Sequence, residues 1–93
     1  MSAISRGDAP RLAPGHRLGN AASQPDVLLV PEGALRLKGP ARMILESCDG
    51  CRTVEHIVVA LSAKFPGESP ARIESEVMAL LTGLHDRGAI EIA

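Results

Sequence analysis

The residues with the clearest chemical potential are Cys48 and Cys51, which enclose Asp49 and Gly50 in a C-x-x-C. That spacing serves either a redox pair or half of a zinc site. A closed zinc site needs four ligands, and the other nitrogen donors, His16, His56 and His85, form no second cluster at ligand spacing. A redox thiol gains most at a helix amino terminus, where the dipole favours thiolate. Here Ala41, Ile44, Leu45 and Cys48 recur at i, i+3, i+4 and i+7, which puts Cys48 at a helix end instead. The spacing therefore predicts a buried Cys48 and an incidental Cys51, with no metal and no cofactor. General-base chemistry by a histidine needs an orienting partner and a nucleophile in a pocket. His56 and His85 fall between the apolar positions of their helices, and His16 precedes the folded part, so an enzyme is not expected. No G-x-x-x-x-G-K or G-x-G-x-x-G pattern occurs to hold a phosphate or dinucleotide.

The elements around these residues are legible from periodicity. Val27 to Val30 is a short apolar run, Pro31-Glu32-Gly33 a turn, and Ala34 to Lys38 alternates with period two. This predicts a hairpin with Leu35 and Leu37 on one face and Arg36 and Lys38 on the other. Gly39-Pro40 opens the first helix and Asp49-Gly50 stops it. Thr53 caps a second helix with an apolar face of Val54, Ile57, Val58, Leu61 and Phe65. Ser69-Pro70 opens a third, striped by Ile73, Val77, Leu80, Leu81 and Leu84 and ended by Arg87-Gly88, with Ala89 to Ile92 as an extended tail. The expected fold is α+β, a small winged-helix-like domain in which N-terminal strands precede a three-helix bundle. Residues 1–24 read as a flexible basic arm with a brief strand near 16–19, and residues 25–93 as the folded domain.

Composition narrows the functions. The chain has 93 residues, 45% of them hydrophobic, yet Phe65 is its single aromatic residue. That is one small domain of marginal stability, with no stacking platform for bases or sugars. Ten Lys+Arg against eleven Asp+Glu give a formal charge of -1, without the basic excess that binding to nucleic acid requires. The third helix, which would probe a DNA groove, carries Glu74 and Glu76 in its middle. Arg6, Asp8 and Arg11 stand where a signal peptide would be apolar, and no apolar run spans a bilayer, so a cytoplasmic protein with no membrane partner is expected.

A hairpin strand beside a helix can, without catalytic groups, accept an extended peptide along its free edge. The candidate binding residues are Ala34, Leu35, Arg36, Leu37 and Lys38 on the strand, with Arg72, Glu76 and Val77 on the third helix. Arg36, Lys38 and Arg72 would meet an acidic peptide and Glu76 would steer its register. The alternative is that Leu35, Leu37, Val77 and Leu81 are core, and that Arg36 and Lys38 only protect an edge from aggregation.

Pro31-Glu32-Gly33, Leu35-x-Leu37, Ala41-x-x-Ile44-Leu45-Glu46, Cys48-Asp49-Gly50-x-Arg52-Thr53-Val54 and Ile57-Val58 follow one another in a set that resembles the pyrroloquinoline quinone (PQQ) biosynthesis protein D, or PqqD, family. The likeness continues through Leu61, Phe65, Glu76-Val77, Leu80-Leu81, Leu84 and Arg87-Gly88, and includes Pro10 to Leu18. The resemblance implies a winged-helix recognition element for ribosomally made, later modified (RiPP) peptides. It implies a chaperone that binds the precursor peptide PqqA as a strand beside the hairpin, against the third helix. It also implies presentation to PqqE, a radical S-adenosylmethionine iron–sulfur enzyme that cross-links a glutamate and a tyrosine of the peptide. A second reading is an accessory that binds or releases the quinone. Two departures stand out: Ala21 to Asp26 replaces an arginine-rich and aromatic stretch, and Lys38-Gly39-Pro40 replaces a more ordinary helix start. A hinge at that junction would suit a homodimer formed by exchanging elements.

Overall fold

A computed structural model describes residues 4–93. Among these residues, five strands and three helices follow in the order β1 (Pro10–Leu12), β2 (Arg17–Leu18), β3 (Val27–Val30), β4 (Gly33–Arg36), α1 (Ala41–Glu46), α2 (Val54–Lys64), α3 (Pro70–Asp86) and β5 (Ile90–Ile92). The α+β class and the order of hairpin and helices are as the sequence pattern predicts.

The hairpin forms because Gly33, at φ +152°, completes a connection that a side chain would resist. Its register pairs Leu28 with Leu35 and Val30 with Gly33, and β2 adds on the far side to give a sheet of order β2-β3-β4. Leu28 is completely buried, Leu37 nearly so, and Arg36 and Lys38 are exposed, so the alternation sorts the faces as expected.

Each helix begins and ends for a local reason. Thr53 Oγ1 accepts the His56 N–H at 3.2 Å, which caps α2. Ser69 is extended ahead of Pro70, whose missing N–H costs nothing at the start of α3. The first helix is shorter than its apolar spacing suggests. Its α-helical turns stop at Glu46, and the Ser47 and Cys48 N–H groups donate to Ile44 and Leu45 in a tighter turn. The core joins Leu28, Ile44, Leu45, Val54, Ile57, Val77, Leu81 and Ile90, so strands and helices close over one aliphatic centre.

Residues 4–24 depart from the expected arm. Ile4, Pro10 and Ala13 are buried, and β1 pairs antiparallel with β5, Pro10 opposite Ile92 and Leu12 opposite Ile90. The Arg6 and Asp8 carbonyls accept the Glu55 and Val54 N–H groups, two donors that the first turn of α2 cannot satisfy internally. Arg6 also pairs with Glu74 at the start of α3, its Nε 3.0 Å from Oε2. The proline and glycine content hid this because β1 needs only three residues and finds its partner 80 positions away, beyond any local periodicity. Met1 to Ala3, the tip of that expected arm, lie outside the described residues.

Candidate functional site

The sequence of the C-x-x-C turn explains its geometry. Asp49 Oδ1 accepts the N–H groups of Cys51 at 2.9 Å and Arg52 at 3.0 Å, and these bonds hold the carboxyl below its ordinary range. Gly50, at φ +80°, turns its N–H to the Pro10 carbonyl at 2.9 Å, so the turn is a seat for β1. Cys48 is buried with its Sγ 3.4 Å from the Ile44 carbonyl. Burial, with Asp49 beside it, pushes the thiol up to about 12, which leaves almost no thiolate for metal or redox work at neutral pH. Cys51 is exposed, and no group of His, Cys, Asp and Glu with metal-ligand proximity occurs among the described residues. His56 is exposed as expected, whereas His85 is half-buried with its Nδ1 enclosed and unpaired.

The other candidate is the edge of β4. Among the described residues, no strand lies beyond it in the sheet. The Leu37 N–H donates to the Asp26 carbonyl at 2.7 Å, and in this register the backbone groups of Gly33, Leu35 and Leu37 all turn toward β3. Alternation sends the N–H and C=O of Ala34 and Arg36 the other way, to the open edge. The edge donors are therefore Ala34 and Arg36. Leu37, which strand alternation alone could not place, is an internal ladder donor.

Beside this edge lies a trough against α3. Its first hollow, about 340 Å³, is lined by Leu35, Arg36, Leu37, Lys38, Ala41, Leu80, Leu84 and Arg87. A middle section of about 320 Å³ runs under Gly39 and Pro40 and ends at Glu76. A third hollow, about 370 Å³, reaches Phe65, Arg72 and Val77 between the helices. Successive sections share residues: Lys38, Ala41 and Leu80 join the first two, and Gly39, Pro40, Ile44 and Glu76 join the last two. The trough thus follows α3 backwards, from Arg87 toward Arg72.

The expected site residues divide along this line. Leu35, Arg36, Leu37 and Lys38 come together at the first hollow, and Ala34 contributes exposed edge backbone. Glu76 sits in the middle section. Arg72 is at the far end, with its Nε 4.0 Å from Glu68 and 3.6 Å from Glu76, so it does not stand beside the edge with Arg36 and Lys38. Val77 is completely buried and forms the back of the third hollow, because it lies on the inner stripe of α3 with Ile73 and Leu81. Sequence reasoning missed Ala41, Leu80, Leu84 and Arg87 as lining residues. Leu80 and Leu84 were visible as apolar positions, but only packing shows that Leu80 stays half-exposed at the margin of the stripe.

Comparison with known proteins bears on this arrangement. Residues 27–90 match the family described as coenzyme PQQ synthesis protein D (PqqD). The chain belongs to the PqqD family. A "PqqA binding protein" of Azotobacter vinelandii is 39% identical, with 99% of each chain covered. One of the same name from Xanthomonas campestris is 32% identical over 99% of this chain and all of its own. Among solved structures, the solution NMR structure of the PqqD truncation of Methylobacterium extorquens PqqCD, described as a functional, stand-alone RiPP recognition element, superposes with a TM-score of 0.79. It is 34% identical, and the match covers 96% of this chain and 95% of that one. The PqqD relationship extends to the N-terminal strands, since these full-length alignments include β1 and β2. No helix among the described residues is long and apolar enough to cross a membrane.

Proposed function

We propose that this protein is a non-catalytic peptide chaperone of PQQ biosynthesis, which binds the precursor peptide PqqA as an added strand on β4 and presents it to the radical enzyme PqqE. The observation that carries this reading is the open edge of β4 beside an apolar trough. Ala34 and Arg36 offer two N–H and two C=O groups in the spacing of a strand. Peptide residues opposite Leu35 and Leu37 would turn their side chains over Leu80 and Leu84, while the intervening residue would face solvent beside Arg36. Backbone pairing then gives affinity, and the trough reads alternate side chains. Relatives named for binding PqqA, similar over nearly the full chain, support PqqA as the ligand.

The peptide is ribosomal, so such a chaperone acts in the cytoplasm, where its enzyme is also made. Exchange of elements about Gly39-Pro40 would give a homodimer, and a light-scattering mass of one chain across the working concentration range would dismiss that part of the reading. Amide-shift mapping of the isotope-labelled chain with PqqA tests the central claim. Shifts concentrated at Ala34 to Lys38 and at Leu80 and Leu84 are expected. Shifts confined to β1 and β5, or none, would sink it. Calorimetry with PQQ in place of PqqA should give no heat of binding.

A further inference from the structure

The charges of this protein are not spread evenly. Of its ten Lys and Arg residues, Arg6, Arg11, Arg42, Arg52 and Arg72 are held in ion pairs. Among the described residues that leaves Arg17, Arg36, Lys38, Lys64 and Arg87 without an ionic partner. Three of these five, Arg36, Lys38 and Arg87, line the hollow between β4 and α3, and no carboxylate lines it with them. The chain as a whole is slightly negative, with a formal charge of -1, so the concentration is local. The cations also stand on both walls, Arg36 and Lys38 on the strand side and Arg87 at the C-cap of α3. At the other end of the trough the sign reverses, because Glu68 and Glu76 bracket the single guanidinium of Arg72.

We infer that the trough selects an extended segment that is acidic where it lies along β4 and apolar at alternate positions, with Arg87 as the specificity residue facing Arg36 and Lys38. This rests on the reading that an extended peptide occupies the β4 edge, and it adds which peptide sequence the site accepts. A carboxylate entering between the two walls meets cations that have no ionic partner among the described residues. The side chains at alternate positions cover Leu35, Leu37, Ala41, Leu80 and Leu84. Phosphate chains of nucleic acid fit less well, since the floor is aliphatic and no aromatic side chain lines this hollow to stack a base.

The test measures PqqA binding to the full chain and to Arg36→Gln, Lys38→Gln and Arg87→Gln, singly and combined, at low and high salt. All three side chains are exposed, so the variants should melt like the parent. Each single change should weaken binding about twofold to fivefold. The triple variant should lose more than about tenfold and should flatten the salt dependence. Lys64→Gln, unpaired but outside the trough, should change neither. A PqqA variant with its acidic residues replaced by amides should bind the parent as weakly as PqqA binds the triple variant. Parent-like affinity and salt slope in the triple variant would overturn the inference while leaving strand addition standing. Displacement of PqqA by random duplex DNA would overturn it as well. Failure of the parent chain to bind PqqA would remove the peptide reading and this inference together.

Discussion

The two antiparallel sheets end in different ways. In the β1–β5 ribbon, the exposed side of β1 is occupied: Arg11 bridges to Asp49, the Pro10 carbonyl receives the Gly50 N–H, and Pro10 itself has no N–H to offer. The β2-β3-β4 sheet leaves the outer groups of Ala34 and Arg36 without a strand partner among the described residues and guards them with charge. An edge that serves only the fold can be closed by whatever turn lies nearby. An edge that receives a partner must stay open yet resist its own kind, and positive side chains achieve both when the partner is acidic.

Proline substitution separates the two sides of β4 and should give the largest effects. Leu37→Pro removes the bond to Asp26 and a buried side chain, a loss of about 4 kcal/mol or more. A chain of this size has roughly 5–10 kcal/mol in total, so about half of its stability or more should go and the variant should melt roughly 20 °C or more below the parent. Arg36→Pro loses an outward donor and an exposed cationic side chain, but no ladder bond to β3. That variant should melt near the parent temperature and lose PqqA binding in calorimetry; unchanged affinity would remove β4 as the docking edge.

The ribbon gives smaller responses. Gly50→Ala puts a Cβ on a residue at φ +80°, 3.5 Å from Arg11 and Ala93 side-chain atoms. Left-handed backbone costs a non-glycine residue about 1 kcal/mol or somewhat more, which should lower the melting temperature by roughly 6 °C. Amide exchange should quicken at Ala13 and Ala93, whose N–H groups tie β1 to β5, while PqqA affinity stays constant. A parallel loss of affinity would show that the two sheets are coupled.

Asp49 gives the ribbon a pH dependence. Its folded carboxyl titrates below the usual 3.8 because the Cys51 and Arg52 N–H groups bond its charged form. The stabilisation is therefore present above that value and is lost as pH falls through the lower folded one. Asp49→Asn, which keeps an acceptor oxygen but no charge, should flatten the acid limb of a melting-temperature profile. The smallest change belongs to Glu91→Gln, which breaks the 3.2 Å pair with Arg11 between two half-exposed side chains. Such surface pairs contribute about 0.5 kcal/mol, so thermal melting should barely move.

The hairpin, the cap at Thr53, the helix start at Ser69-Pro70 and the aliphatic stripes of the helices were legible because each depends on residues within a few positions of one another. The β1–β5 pairing was not, since neither three-residue strand carries a pattern longer than chance. The candidate site was half legible. Strand alternation marked Leu35 to Lys38, but the cation opposite them is Arg87 rather than Arg72, whose neighbours at i±4 on the same helix, Glu68 and Glu76, hold it.

What the sequence by itself determined is an aliphatic core in a chain with a single aromatic residue, the order of hairpin and helices, and hence a protein suited to backbone pairing rather than stacking. Only the tertiary structure decided which backbone donors face outward, where the N-terminal strand is anchored, and which cations are left unneutralised. Those properties depend on register and on contacts between residues far apart in the chain. A shift of one residue in pairing would turn the Arg36 donor inward and the Leu37 donor outward, and no local pattern records that choice.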